Sequence, residues 1–312
     1  MRLGVVFPGQ GSQSVGMGGA VAERYPVAAD LFRRAELVLG YDLRALIANG
    51  PEERLRETMI AQPAIYVTNY ALAAAAGELP VVASAGHSFG EYCSLALAGA
   101  LTFEEALELV KERGLAMQAA AELADGAMAA VLGLDAQSVR AATEAARTAG
   151  RVCLANFNAP GQIVISGDAA AVARAGELAL GAGAKRVVPL NVSGAWHSEL
   201  MASARARFSP FVERATISLP RFTIVSNVDA QPYRDVATIR ANLIRSVCDE
   251  VLWHATSERL VAEGLDAVVE FGGSAVLAPM LKRLPAAPRA LHVGDERGLE
   301  NLTAALASSA PA

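Results

Sequence analysis

Apolar residues fall along this chain in two rhythms. Short unbroken blocks, such as Leu3-Gly4-Val5-Val6-Phe7, have the length and the valine content of strands buried on both faces. Longer segments repeat their apolar positions at helical spacing and present one stripe to a core. The block Leu3–Phe7 closes at Pro8-Gly9-Gln10-Gly11-Ser12. Helical patterns then cover 20–39 and 51–59, with a third over 63–77 that starts at Pro63. A strand over 80–85 follows. Thr102-Phe103-Glu104-Glu105 is a capping box, and the helix behind it is expected to reach about Leu123.

The segment 126–192 keeps a rhythm of its own. Strand patterns at 127–132, 152–157, 162–166 and 186–190 are interleaved with helical patterns at 136–148 and 169–180. Asn158-Ala159-Pro160-Gly161 is a turn between the middle two strands. This βαββαβ order is that of a ferredoxin-like α+β unit. It reads as an insertion, because α/β alternation resumes beyond it. There follow a strand at 222–226, helices at 236–246 and 252–263, and the strand Ala267–Phe271, which ends at Gly272-Gly273 ahead of another helix. The expected division is 1–125 with 193–312 for the larger domain and 126–192 for the smaller. The segment 303–312 reads as a frayed end.

Composition narrows the classes. The chain has 312 residues, 53% of them hydrophobic, enough for a large core. Its formal net charge is −5 and it has no long basic run, so nucleic acid is not an expected ligand. No apolar run is long enough for a membrane span, and the first residues lack a signal-peptide pattern. Cys93, Cys153 and Cys248 are widely spaced and odd in number. They predict reduced thiols, a cytoplasmic setting and no metal framework.

One segment carries most of the chemistry. The strand over 80–85 runs into Gly86-His87-Ser88-Phe89-Gly90, and a helical pattern follows. Strand, Gly-x-Ser-x-Gly, helix is the layout of a nucleophile elbow. The glycines permit a turn that side chains would block, and the turn lifts Ser88 Oγ from the sheet edge beside the positive end of the next helix. The competing reading is a tight glycine turn with a solvated serine.

A serine hydroxyl needs an adjacent base at neutral pH. His87 should point elsewhere across the turn, His254 sits between Glu250 and Glu258 on a charged helical face, and His292 stands in a late short strand. His197 lies in Val192-Ser193-Gly194-Ala195-Trp196-His197-Ser198, a loop at a strand end, where such folds carry catalytic groups. It is the preferred base, with capping of the helix near Ser198 as its alternative role. The oxyanion of an acyl transfer needs N–H donors. Phe89 offers one, and Gln10 in Gly9-Gln10-Gly11 offers a second unless that loop is an ordinary glycine turn. Arg113 has Leu109, Val110, Ala116 and Met117 as its helical neighbours, all apolar. On a core-facing stripe its planar fork suits a carboxylate; otherwise it snorkels to solvent or pairs internally. If Arg113 lines the Ser88 site, the acyl group carries a free carboxylate.

Together these motifs resemble the malonyl-CoA:acyl-carrier-protein transacylases and the related acyltransferase domains of polyketide synthases. The resemblance runs from about residue 3 to residue 284. It is carried by Phe7-Pro8-Gly9-Gln10-Gly11-Ser12-Gln13, Gly86-His87-Ser88-Phe89-Gly90-Glu91, Arg113-Gly114-Leu115-Ala116-Met117-Gln118, Asn156-Phe157-Asn158-Ala159-Pro160-Gly161-Gln162 and Ser193-Gly194-Ala195-Trp196-His197-Ser198. It implies an α/β-hydrolase-like large domain with a parallel sheet and a ferredoxin-like insert. It implies a ping-pong reaction, in which Ser88, with His197 as base, takes malonyl from malonyl-CoA. The phosphopantetheine thiol of holo acyl carrier protein then takes it from Ser88. Gln10 and Phe89 would form the oxyanion hole, Arg113 would hold the malonyl carboxylate, and Asn156 matches a cleft position near the histidine. CoA enters as a substrate, so no bound cofactor and no metal is implied. A monomer is expected.

Two departures stand out. Where the family has Gln-x-x-x-Pro-Val-x-Trp ending at Trp253, this chain has Ser246 for the Gln and Glu250 for the Pro. The family's histidine is oriented by the backbone carbonyl at that Gln position, which side-chain exchange leaves in place. Phe89 and Trp196 also stand where smaller or narrower side chains are common. Two large rings should narrow the acyl pocket, favouring malonyl over branched acyl groups, while acetyl would leave Arg113 unpaired. The runner-up is an acyl hydrolase clearing carrier proteins on the same fold, against which Arg113 argues. A trans-acting acyltransferase of secondary metabolism with another acyl donor shares the chemistry and stays open. A non-catalytic docking protein is disfavoured, because every reacting residue type is present. Carrier proteins are acidic, so a basic rim is expected from among Lys185, Arg186, Arg205, Arg207, Lys282 and Arg283.

Overall fold

The computed structural model describes residues 1–308. Their strands, in chain order, are β1 (Leu3–Phe7), β2 (Val81–Gly86), β3 (Gly126–Leu132), β4 (Val152–Ala159), β5 (Gln162–Asp168), β6 (Arg186–Pro189), β7 (Thr223–Ile224), β8 (Ala267–Phe271) and β9 (Arg289–Val293). One sheet has the order β7-β2-β1-β8-β9, with every pair parallel. Its strands β1 and β8 are buried along their whole length, as unbroken apolar blocks must be when helices cover both faces. Helices Thr58–Ala75 and Phe103–Ala121 add Ile65, Tyr66, Leu107 and Val110 to the largest core. Thr102 starts the second of these with the capping box read from the sequence, its hydroxyl accepting from Glu105 N–H at 3.1 Å. Because the strands are parallel, the loops after Phe7, Gly86, Ile224 and Phe271 leave the same edge of the sheet. That edge is where an open α/β sheet builds its sites.

The other strands form an antiparallel sheet in the order β4-β5-β3-β6. Strand alternation gives it two different faces. Ala129 and Val131 of β3 and Ile163 and Ile165 of β5 join a small core with helices Ala136–Ala146 and Ala169–Gly181. Met128, Ala130 and Val164 line a cleft on the opposite face. In β4 the alternation is broken on purpose of geometry: Leu154 pairs with Ile165 but Asn156 pairs with Val164, leaving Ala155 as an extra residue. This bulge turns Asn156 into the cleft, where strict alternation from Leu154 would aim it at the helices.

Several boundaries differ from the sequence reading. The expected helix over 20–39 is two, Gly19–Arg24 and Pro26–Leu39, because Pro26 lacks the N–H to continue the first and is suited to start the second. The helix Leu43–Asn49, capped by Asp42, is an addition to the pattern. Residues 51–59 yield only Glu52–Arg56, and the next helix begins at Thr58 with Pro63 inside it. Its neighbours Gln62, Ala64 and Ile65 are all buried, so packing overrides the break signal. The strand expected over 222–226 shrinks to β7, and Ser226 and Asn227 turn into the edge loop. The frayed end expected over 303–312 is helical as far as Ala307, anchored by Leu302 and Ala305; residues 309–312 lie outside the described residues. No helix among the described residues is long and apolar enough to cross a membrane.

Candidate active site

The elbow after β2 has the geometry its glycines suggest. A Cβ on Gly86 would stand 1.9 Å from the Gly90 carbonyl carbon, and one on Gly90 would stand 2.3 Å from the Phe7 oxygen. Only glycine fits either place. Ser88 between them has φ +53°, a left-handed backbone that costs a non-glycine residue roughly 1–3 kcal/mol.

Ser88 Oγ lies 2.9 Å from His197 Nε2, and His197 Nδ1 lies 3.0 Å from the Asp249 carbonyl oxygen. A carbonyl only accepts, so Nδ1 carries the proton and Nε2 is free to accept from Ser88. Burial holds the His197 pKa down at about 3, reinforced by the charges of Arg113 and His87 and opposed by the Asp249 carbonyl. The expected orienting carbonyl was that of position 246. Ser246 does turn its carbonyl to the ring, but the hydrogen bond within 3.0 Å belongs to Asp249. The reason is the outer edge of β4. Phe157 N–H donates to Val251 O at 2.9 Å and Val251 N–H to Ala155 O at 2.8 Å, which brings the 249–251 segment against the histidine loop.

Arg113 is 1% exposed and neither snorkels nor ion-pairs among the described residues. Nη2 donates to Ser88 Oγ at 3.2 Å and Nη1 to Gln62 Oε1 at 2.9 Å, while Nε has no partner. Burial lowers its pKa from the usual arginine value. Nε and Nη2 share one edge of a guanidinium, so that edge is open to a carboxylate beside Ser88.

Gly9 packs against the elbow, where a Cβ would stand 2.7 Å from the His87 oxygen. Among the described residues the backbone N–H groups of Gln10 and Phe89 donate to no acceptor. The Gln10 side chain is held by Thr58 Oγ1 at 3.0 Å. Two free N–H groups beside a serine hydroxyl are what a developing oxyanion requires.

Gln10, Ser88, Phe89, Arg113, Asn156, Trp196 and His197 all line one cleft of about 270 Å³. The structure therefore gathers every residue singled out for the site. It adds others. His87 also faces the cleft, its Nε2 hydrogen-bonded to Asn158 Oδ1 at 2.9 Å and its ring 5.7 Å from that of Trp253. Met117, Met128, Val276 and Met280 complete the walls. His254 pairs with Glu258 at 3.6 Å and His292 Nε2 contacts Gly272 O at 2.8 Å, both apart from Ser88. Of the six basic candidates, Arg283 alone hydrogen-bonds a cleft residue among those described, donating to Gln162 Oε1 at 2.8 Å and to Pro160 O at 2.6 Å. Gln62 and Asp249 carry no sequence signal. One acts only through Arg113, the other through a main-chain atom that every residue type possesses.

A parallel sheet carrying a strained serine, a buried imidazole and open N–H donors at one edge defines a class of acyl-transferring α/β proteins. Residues 5–292 match the acyl transferase domain family, and the chain belongs to it. It is 41% identical over 287 residues to the malonyl CoA-acyl carrier protein transacylase of Salmonella typhimurium, covering 91% of this chain and 93% of that protein. An acyl carrier protein S-malonyltransferase from Vibrio cholerae superimposes with a TM-score of 0.91 at 38% identity, over 97% of this chain and 100% of that one. A malonyl-transacylase solved in complex with its type II polyketide-synthase acyl-carrier protein gives 0.92 at 38% identity, over 96% and 98%. The chain is an acyltransferase.

Proposed function

We propose that the chain is a malonyl-CoA:acyl-carrier-protein transacylase working through a malonyl ester on Ser88. In the first half-reaction Ser88 Oγ attacks the thioester carbonyl of malonyl-CoA and passes its proton to His197 Nε2. The N–H groups of Gln10 and Phe89 donate to the carbonyl oxygen and stabilise the negative charge that forms on it. The C–S bond breaks, and His197 returns the proton to the leaving CoA sulfur. In the second half-reaction the phosphopantetheine thiol of holo acyl carrier protein gives its proton to His197 and attacks the ester. Ser88 leaves with that proton. The Asp249 carbonyl keeps Nδ1 protonated throughout.

The observation that carries the malonyl assignment is Arg113. A fully buried guanidinium with an unpaired Nε, 3.2 Å from the nucleophile through Nη2, suits a substrate carboxylate and serves no purpose for a neutral acyl chain. Asn156, aimed inward by the β4 bulge, and Trp196 shape the acyl pocket. The chemistry needs no metal and no bound cofactor. We read the sheets as an α/β-hydrolase-like domain, 1–125 with 193–312, and a ferredoxin-like insert, 126–192. The antiparallel order β4-β5-β3-β6 supports the second assignment. A cytoplasmic monomer fits this reading.

Intact-protein mass after brief mixing with malonyl-CoA tests it. Wild type should gain one malonyl group, Ser88→Ala none, and Arg113→Ala far less. Adding holo carrier protein should move the group to the carrier. An adduct lost to water with the carrier unloaded would instead identify a hydrolase.

A further inference from the structure

The strained serine is held by a residue from a different strand. Ser88 N–H donates to Asn227 Oδ1 at 3.0 Å, from the loop that follows β7. The other end of the same amide, Nδ2, donates to Gly86 O and to Glu91 Oε2. Asn227 N–H donates to Glu91 Oε2 as well, at 3.0 Å. One side chain thus ties the last residue of β2, the serine and the first turn of helix Gly90–Leu97. The amide has a single workable orientation, since Oδ1 must accept from an N–H while Nδ2 must donate to a carbonyl and a carboxylate. Asn227 and Glu91 are both buried, and the Tyr233 hydroxyl donates to the other Glu91 oxygen. The loop is braced from behind, where Asn242 Nδ2 meets Ser226 Oγ at 3.1 Å and Thr256 Oγ1 meets Ser226 O at 3.0 Å.

We propose that Asn227 is a positioning residue for acyl transfer: its amide, clamped by Glu91, holds Ser88 in the left-handed conformation that aims Oγ at His197 and frees Phe89 N–H for the oxyanion. The inference rests on the reading of Ser88 as nucleophile. A left-handed Ser88 turns its N–H away from the sheet ladder, and Asn227 gives that buried donor its acceptor. Without it the backbone is released toward ordinary negative φ, and Oγ leaves the hydrogen bonds to His197 Nε2 and Arg113 Nη2. The effect belongs to the chemical step. The substrate carboxylate meets Arg113 on helix Phe103–Ala121, which Asn227 does not hold.

The test is rapid-quench mass measurement of Ser88 acylation, with KM for malonyl-CoA and thermal melting, on wild type, Asn227→Ala and Asn227→Asp. Asn227→Ala is expected to acylate slower by about tenfold or more, with KM within about twofold of wild type. Asn227→Asp keeps the shape, covers the case in which the alanine variant does not fold, and sets two carboxylates face to face at Glu91. The titratable and charged groups around that pair are Glu91 and Tyr92 on helix Gly90–Leu97, Tyr233 and Asp229 on the loop side, and the Arg113 guanidinium on helix Phe103–Ala121. Protonation restores a donor, so the rate of Asn227→Asp relative to wild type should climb as pH falls from about 8.5 to about 6. A constant ratio across that range, or alanine-variant acylation within about twofold of wild type, overturns the proposal. No adduct on wild type removes the reading of Ser88 itself, and this inference with it.

Discussion

His197 Nδ1 hydrogen-bonds the backbone carbonyl of Asp249 at 3.0 Å, so a main-chain dipole and not a carboxylate orients the imidazole. A buried carboxylate there would favour the imidazolium strongly; a carbonyl favours it weakly. Burial and the Arg113 charge win, and the His197 pKa sits at about 3 against an ordinary 6.5.

Acylation of Ser88 is expected to stay level from about pH 8 to about pH 5, because His197, the proposed base, remains neutral across that range. Stability follows the same shift. A base whose pKa is lower in the folded state binds fewer protons there than when unfolded. Its contribution is therefore intact above pH 6.5 and declines as the pH falls toward 3. Rapid-quench acylation and urea melts across pH check both, and a kinetic inflection near 6.5 contradicts the account.

Replacing the Asp249 side chain should matter little to catalysis. Asp249→Ala keeps the carbonyl and removes only the contact with Arg245 Nε at 2.8 Å. The expected kcat is within about threefold of wild type, measured at saturating malonyl-CoA and carrier protein. A hundredfold loss, about 2.7 kcal/mol, would mean the side chain itself drives the reaction.

Arg113→Met should separate function from stability. Losing the carboxylate contact is expected to lower kcat/KM for malonyl-CoA by about 100-fold or more. Removing a buried cation that has no ion-pair partner should leave folding unchanged or raise stability by about 1 kcal/mol. Steady-state transfer and denaturant unfolding read the two effects. A large loss of stability would show that Arg113 is structural.

Trp196→Ala opens the wall of the cleft beside Ser88, the proposed acyl pocket. The wild type should prefer malonyl-CoA over methylmalonyl-CoA, and the variant should narrow that preference by about tenfold, the size of discrimination a pocket gains from one carbon. Competition between the two thioesters for one carrier protein measures the ratio. Wild-type transfer of methylmalonyl at least as fast as malonyl would sink the prediction.

Glu270 is fully buried at the end of β8, and its carboxylate accepts from the N–H groups of Val276, Leu277 and Ala278 at 2.8, 2.8 and 2.7 Å. Glu270→Ala strands two buried donors, Leu277 and Ala278 N–H, and the half-buried one of Val276. Stability should fall by about 3 kcal/mol or more, and the segment bearing Val276 and Met280 should loosen. Urea unfolding gives the first quantity; a change under about 1 kcal/mol would rule the brace out.

Some of this protein is written locally. The elbow was legible because Gly86 and Gly90 stand where a Cβ would strike backbone, a constraint that no other residue type satisfies. The strands β1 and β8 were legible from unbroken apolar blocks, the cap at Thr102 from Glu105, and Ser88, His197 and Arg113 as candidates for one cleft from residue types that nothing else nearby explained. The tertiary structure decided the rest. Packing let a helix run through Pro63, and a bulge at Ala155 turned Asn156 into the cleft. Val251 pairing with β4 brought the Asp249 carbonyl to His197, and the loop after β7 brought Asn227 to Ser88. Each of these contacts joins groups distant along the chain or uses a main-chain atom common to all residues. Neighbours in sequence therefore carry no imprint of them, and only the assembled core fixes where they meet.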